Sequence, residues 1–177
     1  MKVWSQLSPI EAVFYLSGLL EVDEYQVRRD HAQRGTPIFA VMHGLQTGVI
    51  RYDRRDPNEH WKTREEVLAT RRGDCEDLAT AVAAELNEAI HRPGLFGQAN
   101  WGAPPLPPPP TPVTRPIPAR MSYVGFDSNN LFGSFSPSRT EAIPVVYEAR
   151  KGLYHVVVYD PHWGYLDPSV AGGMGKA

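Results

Sequence analysis

The chain has 177 residues, 42% of them hydrophobic, and 18 Lys and Arg stand against 20 Asp and Glu for a net charge of −2. That length can bury a real core, and that balance leaves no basic footprint for nucleic acid, because Arg28-Arg29, Arg54-Arg55 and Arg71-Arg72 are separated by acids and read as ordinary surface. A single cysteine excludes an internal disulfide framework, no apolar run approaches the roughly 20 residues that cross a bilayer, and Met1–Gln6 lacks a signal peptide's apolar stretch and cleavage site, so the expectation is a protein kept in a reducing cytosol.

In chain order, Ser8-Pro9-Ile10-Glu11 announces a first helix through a capping box with proline at its first position. Ile10, Val13, Phe14, Leu16, Leu19 and Leu20 give it a wide apolar face suited to a partner or to the core. A second helix is expected from Asp23 to before Gly35-Thr36-Pro37, and a short third one from Thr63, with Glu66 completing another capping box. The stretch from about Asp74 to Ile90 is strongly helical. Its Leu78, Ala79, Val82, Ala83, Leu86 and Ile90 recur at helical spacing and should face a sheet, leaving Glu85, Asn87 and Glu88 to solvent.

Residues 93–118 hold ten of the seventeen prolines, including Pro107-Pro108-Pro109-Pro110, and can form neither a regular helix nor a central strand. They read as an extended polyproline arm, either a solvated insertion or a stiff segment that docks on a neighbouring subunit through Phe96, Trp101 and Leu106. Strands are expected at Met121–Phe126 and Ile143–Glu148, separated by a polar loop around Asp127-Ser128-Asn129-Asn130. Val156–Tyr159 reads as a further strand, Asp160-Pro161-His162-Trp163-Gly164 as a turn and Tyr165–Asp167 as the returning strand. The architecture expected is α+β, a helix packed on an antiparallel sheet. It divides into an N-terminal helical segment 1–35, a domain made of 36–92 and 119–177, and the proline-rich insertion 93–118.

The chemistry centres on Cys75. In Arg72-Gly73-Asp74-Cys75-Glu76-Asp77-Leu78-Ala79 a glycine turn gives way to helix, which places the thiol in the first turn, where free N–H groups and the helix dipole favour a thiolate. Asp74, Glu76 and Asp77 suit a helix start as well, but their charge works against that activation by raising the thiol pKa. The second candidate is His155. If Tyr159 pairs with Tyr165, Val157 faces Asp167, and His155 and Asp167 become diagonal neighbours on one side of the sheet, close enough for a carboxylate to hold an imidazole nitrogen. A slip of one residue would separate them. His162 reads as an exposed turn residue, and His31, His43, His60 and His91 are too scattered for a zinc site.

Trp61–Leu68 followed by Arg71–Ala79 resembles the nucleophile segment of the transglutaminase-like cysteine protein superfamily, which includes bacterial transglutaminase-like cysteine proteinases. The ending Asp167-Pro168-Ser169-Val170-Ala171-Gly172-Gly173-Met174, with Thr36–Phe39 and Gly48–Tyr52 upstream, is similar to small transglutaminase-like proteins of tailed bacteriophages. The resemblance covers roughly 36–92 and 152–174 and fails between them. It implies a papain/transglutaminase-like core, with His155 and Asp167 in the places of the second and third triad members.

The mechanism this implies is acyl transfer through a thioester: Cys75 attacks a carbonyl, His155 assists the thiolate and then protonates the leaving group, and Asp167 fixes the imidazole tautomer. The Cys75 backbone N–H is the natural oxyanion donor, with Trp61 and Gln46 as weaker candidates for a second. Water as acceptor gives a protease or amidase, and an amine gives a cross-linking transglutaminase. No organic cofactor is implied. Calcium is the metal the resemblance allows, since some related proteinases need it and acids gather at Asp53, Asp56, Glu59 and Asp74, although no loop has EF-hand spacing. The expected partner is a protein or peptide substrate. The phage resemblance adds structural proteins of a head, neck or tail, met through the proline-rich arm, with residence in the host cytoplasm and the virion. In the alternative reading the chain is a catalytically silent assembly component that keeps the fold.

Overall fold

A computed structural model describes residues 9–53, 60–91, 141–150 and 153–175. It is a mixed α and β structure in which one buried helix is wrapped by three others and by a small antiparallel sheet. Helix α1 is Pro9–Arg34, α2 is Ala40–Gln46, α3 is Arg64–Thr70 and α4 is Cys75–Ile90, with Arg51–Tyr52 (β1) and Arg72–Gly73 (β2) paired in parallel between them. Strands β3 (Ile143–Arg150), β4 (Leu153–Asp160) and β5 (Gly164–Leu166) form an antiparallel sheet in that order, and the short helix α5 (Pro168–Ala171) follows. The proline-rich arm and the Met121–Phe126 strand expected from sequence lie outside the described residues.

Helix α4 is the centre of the molecule, buried from Cys75 to Ala89. Leu78, Val82 and Leu86 join Val156, Val158 and Leu166 of the sheet, Leu16 of α1 and Val41 and Leu45 of α2 in one core. That placement corrects the expectation that Glu85, Asn87 and Glu88 face solvent, because α1 and α2 cover that side and all three are buried. Each has a partner that makes burial affordable in physical terms. Glu85 accepts the Val41 and Met42 N–H groups at 2.8 and 3.0 Å, so it satisfies the start of α2, and it takes Arg64 Nε at 2.9 Å. Asn87 donates to Glu24 and to the Ala142 carbonyl and accepts the Ala142 N–H at 2.6 Å, which ties α4 to the start of β3. Glu88 lies 3.9 Å from the Arg28 guanidinium.

The break expected at Asp23 is absent: α1 runs unbroken through it for 26 residues. Asp23 is buried and caps a different helix, accepting the Arg64 N–H at 2.7 Å, while Gln26 accepts the Glu65 N–H at 2.8 Å. A cap-forming residue inside a long helix has thus been used across space, satisfying the first turn of α3. The Thr63–Glu66 capping box is present, with the Thr63 N–H on Glu66 at 2.8 Å. On the outer side of α1 the expected apolar face divides: Ala12, Val13 and Leu16 point inward, and Phe14, Tyr15, Val22 and Tyr25 are exposed.

Arg71 turns the chain from α3 into β2 in the left-handed conformation, at φ 57°. Two residues on, Gly73 is buried where a Cβ would meet Leu78 Cδ2 at 3.0 Å, and the Asp53 N–H reaches the Gly73 carbonyl at 2.8 Å. This tight passage delivers the chain to the start of α4 with Cys75 as its first helical residue.

Candidate active site

The sheet register is the one expected from the sequence. Tyr159 pairs with Tyr165 and Val158 with Leu166, so Asp167 follows β5 opposite Val157. Asp160 makes the connecting turn by accepting the His162 and Trp163 N–H groups at 2.8 and 2.9 Å, with Gly164 beyond it at φ 74°. The His155 Nε2 lies 2.9 Å from Asp167 Oδ2, and both side chains are largely buried. The other carboxylate oxygen of Asp167 accepts the Ser169 and Val170 N–H groups at 3.0 and 3.3 Å, capping α5. The helix start and the imidazole therefore fix the carboxylate from two sides. With Nε2 committed to Asp167, Nδ1 is the ring nitrogen left for chemistry.

Cys75 sits at the first turn of α4, behind an Asp74 N-cap whose carboxylate accepts the Asp77 N–H at 3.3 Å while Asp77 accepts the Asp74 N–H at 3.2 Å. This reciprocal box explains why an Asp-x-x-Asp spacing starts the helix. Asp77 also accepts the Lys62 backbone N–H at 2.7 Å and lies 3.6 Å from Lys62 Nζ, which anchors the segment before α3 beside the site. The thiol packs toward the sheet at the Val156 backbone N–H, one residue along β4 from His155. Its hydrogen bond goes to Glu76 Oε2 at 3.0 Å, and none joins it to His155.

Strand alternation accounts for that division. Val156 and Val158 face α4 and share a core with Cys75, whereas Val157 and Tyr159 face the other side with Ile143, Val145, Tyr147 and Tyr165. His155 falls in the second row, and its ring meets Tyr147 edge-on at 5.5 Å. The structure thus brings His155 and Asp167 together and sets Cys75 against the next peptide of the same strand. Trp61 is half-buried with its ring edge-on to Tyr15 at 5.5 Å, and Gln46 is exposed at the last position of α2. His162 is exposed in its turn.

The electrostatics oppose a thiolate in this arrangement. Burial pushes the Cys75 thiol well above its ordinary range, and the Glu76 and Asp74 carboxyls push it the same way, against the Val156 amide. Burial and the adjacent Glu76 carboxylate raise Asp74 to about 8, and burial together with Asp74 raises Asp77 to about 8 despite Lys62. Burial raises the Glu76 carboxyl too, against hydrogen bonds with the Cys75 thiol and Asp74 that pull it down.

Among the described residues no group of three or more His, Cys, Asp or Glu is placed to hold a metal ion; Asp56 and Glu59 of the acidic group considered for calcium lie outside them. No described helix is long and apolar enough to cross a membrane. No protein-family model, curated protein or solved structure matches the chain.

Proposed function

We propose that this chain is a transglutaminase-like Cys-His-Asp protein on a papain/transglutaminase-like core, whose chemistry is acyl transfer through a thioester on Cys75. The observation that carries the reading is the His155–Asp167 pair at 2.9 Å on β4, the strand whose next residue, Val156, shares a core with the helix-start Cys75. Asp167 orients the imidazole and stabilises its charged form, so Nδ1 is free to take the thiol proton and return it to the leaving group. The Cys75 N–H at the start of α4 supplies an oxyanion donor. The Asp167–Met174 ending, with Thr36–Phe39 and Gly48–Tyr52 upstream, supports a phage-encoded protein carried on the particle.

The test is catalytic. The wild-type protein is incubated with casein and, separately, with a glutamine peptide and a fluorescent primary amine. Peptide release marks hydrolysis and amine incorporation marks transfer, and either one is expected to vanish in Cys75→Ala and His155→Ala. Turnover that survives both substitutions would overturn the reading. A second reading, a silent assembly component, is favoured by the thiol's hydrogen bond to Glu76 in place of His155. Recovery of the chain from purified particles, together with no turnover in either assay, would establish it.

A further inference from the structure

We infer that Glu76 is a built-in restraint on Cys75, a positioning residue that holds the thiol protonated until its carboxylate is displaced or neutralised. The inference rests on the proposed Cys-His-Asp reading, but its geometry is independent of it. Cys75 Sγ lies 3.0 Å from Glu76 Oε2, both side chains are buried, and an ionised Glu76 keeps this hydrogen bond only while the sulfur keeps its proton. A thiol activated by a helix start needs neutral or positive surroundings, and here a carboxylate from the adjacent residue fills the space. An ordinary surface glutamate after an N-cap would point to solvent and interact with the dipole from outside. This one is 4% exposed and spends its acceptor capacity on the thiol.

The neighbourhood keeps the restraint in place. Asp74 and Asp77 stand on either side in the same helix start, Lys62 approaches from the segment before α3 but pairs with Asp77, and His155 on β4 is held by Asp167. Lys62 is the nearest cation to these acids among the described ion pairs, and its contact is to Asp77. Replacing Glu76 by a neutral side chain removes the carboxyl closest to the sulfur and the acceptor that holds its proton.

The experiment measures the pseudo-first-order rate at which iodoacetamide alkylates Cys75, by intact mass, from pH 6 to 10. Wild type, Glu76→Gln, Glu76→Ala and Glu76→Gln/His155→Ala are compared, with thermal melts and a urea-unfolded sample as controls. Each unit by which the thiol pKa falls multiplies the thiolate fraction at neutral pH by about ten, and both Glu76 variants are expected to react at least about tenfold faster than wild type at pH 7.5 while still melting cooperatively. Their pH profiles should move to lower pH with the melting temperature within a few degrees of wild type, which separates loss of the Glu76 carboxyl from loosening that hydrates the thiol. Unchanged rates and profiles in both variants would overturn the inference. If the Glu76 variants accelerate and adding His155→Ala changes nothing, the restraint stands and the triad reading falls.

Discussion

Substituting Arg64 by methionine should remove the strongest buried ion pair that holds α4 in place. The guanidinium is 1% exposed and donates to Glu85 at 2.9 Å, to Asp30 at 3.4 Å and to the Pro37 carbonyl at 3.5 Å. The cost concentrates on Glu85, because Asp30 keeps Arg29 at 2.9 Å whereas Glu85 is left with only the Val41 and Met42 N–H groups. Breaking one side of a buried pair costs about 3–5 kcal/mol. At about 2–4 °C per kcal/mol for a chain of this size, the melting temperature should fall by roughly 6–20 °C. Burial already pushes Glu85 up to about 7 against the pull of Arg64, so the carboxyl escapes part of the penalty by taking a proton, and the deficit should be smaller at pH 5 than at pH 8. Arg64→Met/Glu85→Gln should recover at least half of the loss. Urea denaturation followed by circular dichroism gives all three values. A single variant within about 1 kcal/mol of wild type at pH 7.5, or a double variant no better than the single, would refute the assignment of the pair as a structural tie.

Asp23 and Glu85 are raised to about 7 and Asp74 and Asp77 to about 8, so the folded chain keeps protons that the unfolded chain loses above pH 4. Stability should therefore fall as pH rises from about 5 to 8, at up to about 1.4 kcal/mol per pH unit for each retained proton, and a melting temperature that rises over that range would contradict the burial of these acids. Asp167→Asn keeps the cap of α5 and should leave the melting temperature within a few degrees while slowing thioester formation. Asp167→Ala loses both and should cost about 1 kcal/mol more by denaturant titration. Gly172→Ala places a Cβ 2.8 Å from the Tyr52 backbone nitrogen, whose N–H bonds the Gly172 carbonyl, and should destabilise by about 1–3 kcal/mol in the same titration.

The sheet half of the site was legible because strand chemistry is local. A strand at Val156–Tyr159, an Asp-Pro turn and a return through Tyr165 suggest the pairing of Tyr159 with Tyr165 that brings His155 to Asp167, and that register is present. The start of α4 was equally plain, since Asp74 and Asp77 cap each other within one turn. Helix surroundings were not legible. Nothing near Glu85 in sequence announces Arg64, Val41 and Met42, and Asp23 resembles the start of a helix because its real client, the Arg64 amide, is 41 residues away. The flanking acids did signal a penalty on the thiol, but a hydrogen bond from Cys75 to its own neighbour depends on rotamer and burial, which composition does not encode.

The central claim is that Cys75 forms a thioester with help from His155 and Asp167. The most direct measurement is single-turnover acylation by p-nitrophenyl acetate, followed by intact mass and by peptide mapping of the acetylated residue. The account predicts one acetyl group on Cys75, none in Cys75→Ala, and formation slowed at least about a hundredfold in His155→Ala and in Asp167→Asn. Acetylation of Cys75 at the same rate in wild type and in His155→Ala would contradict it.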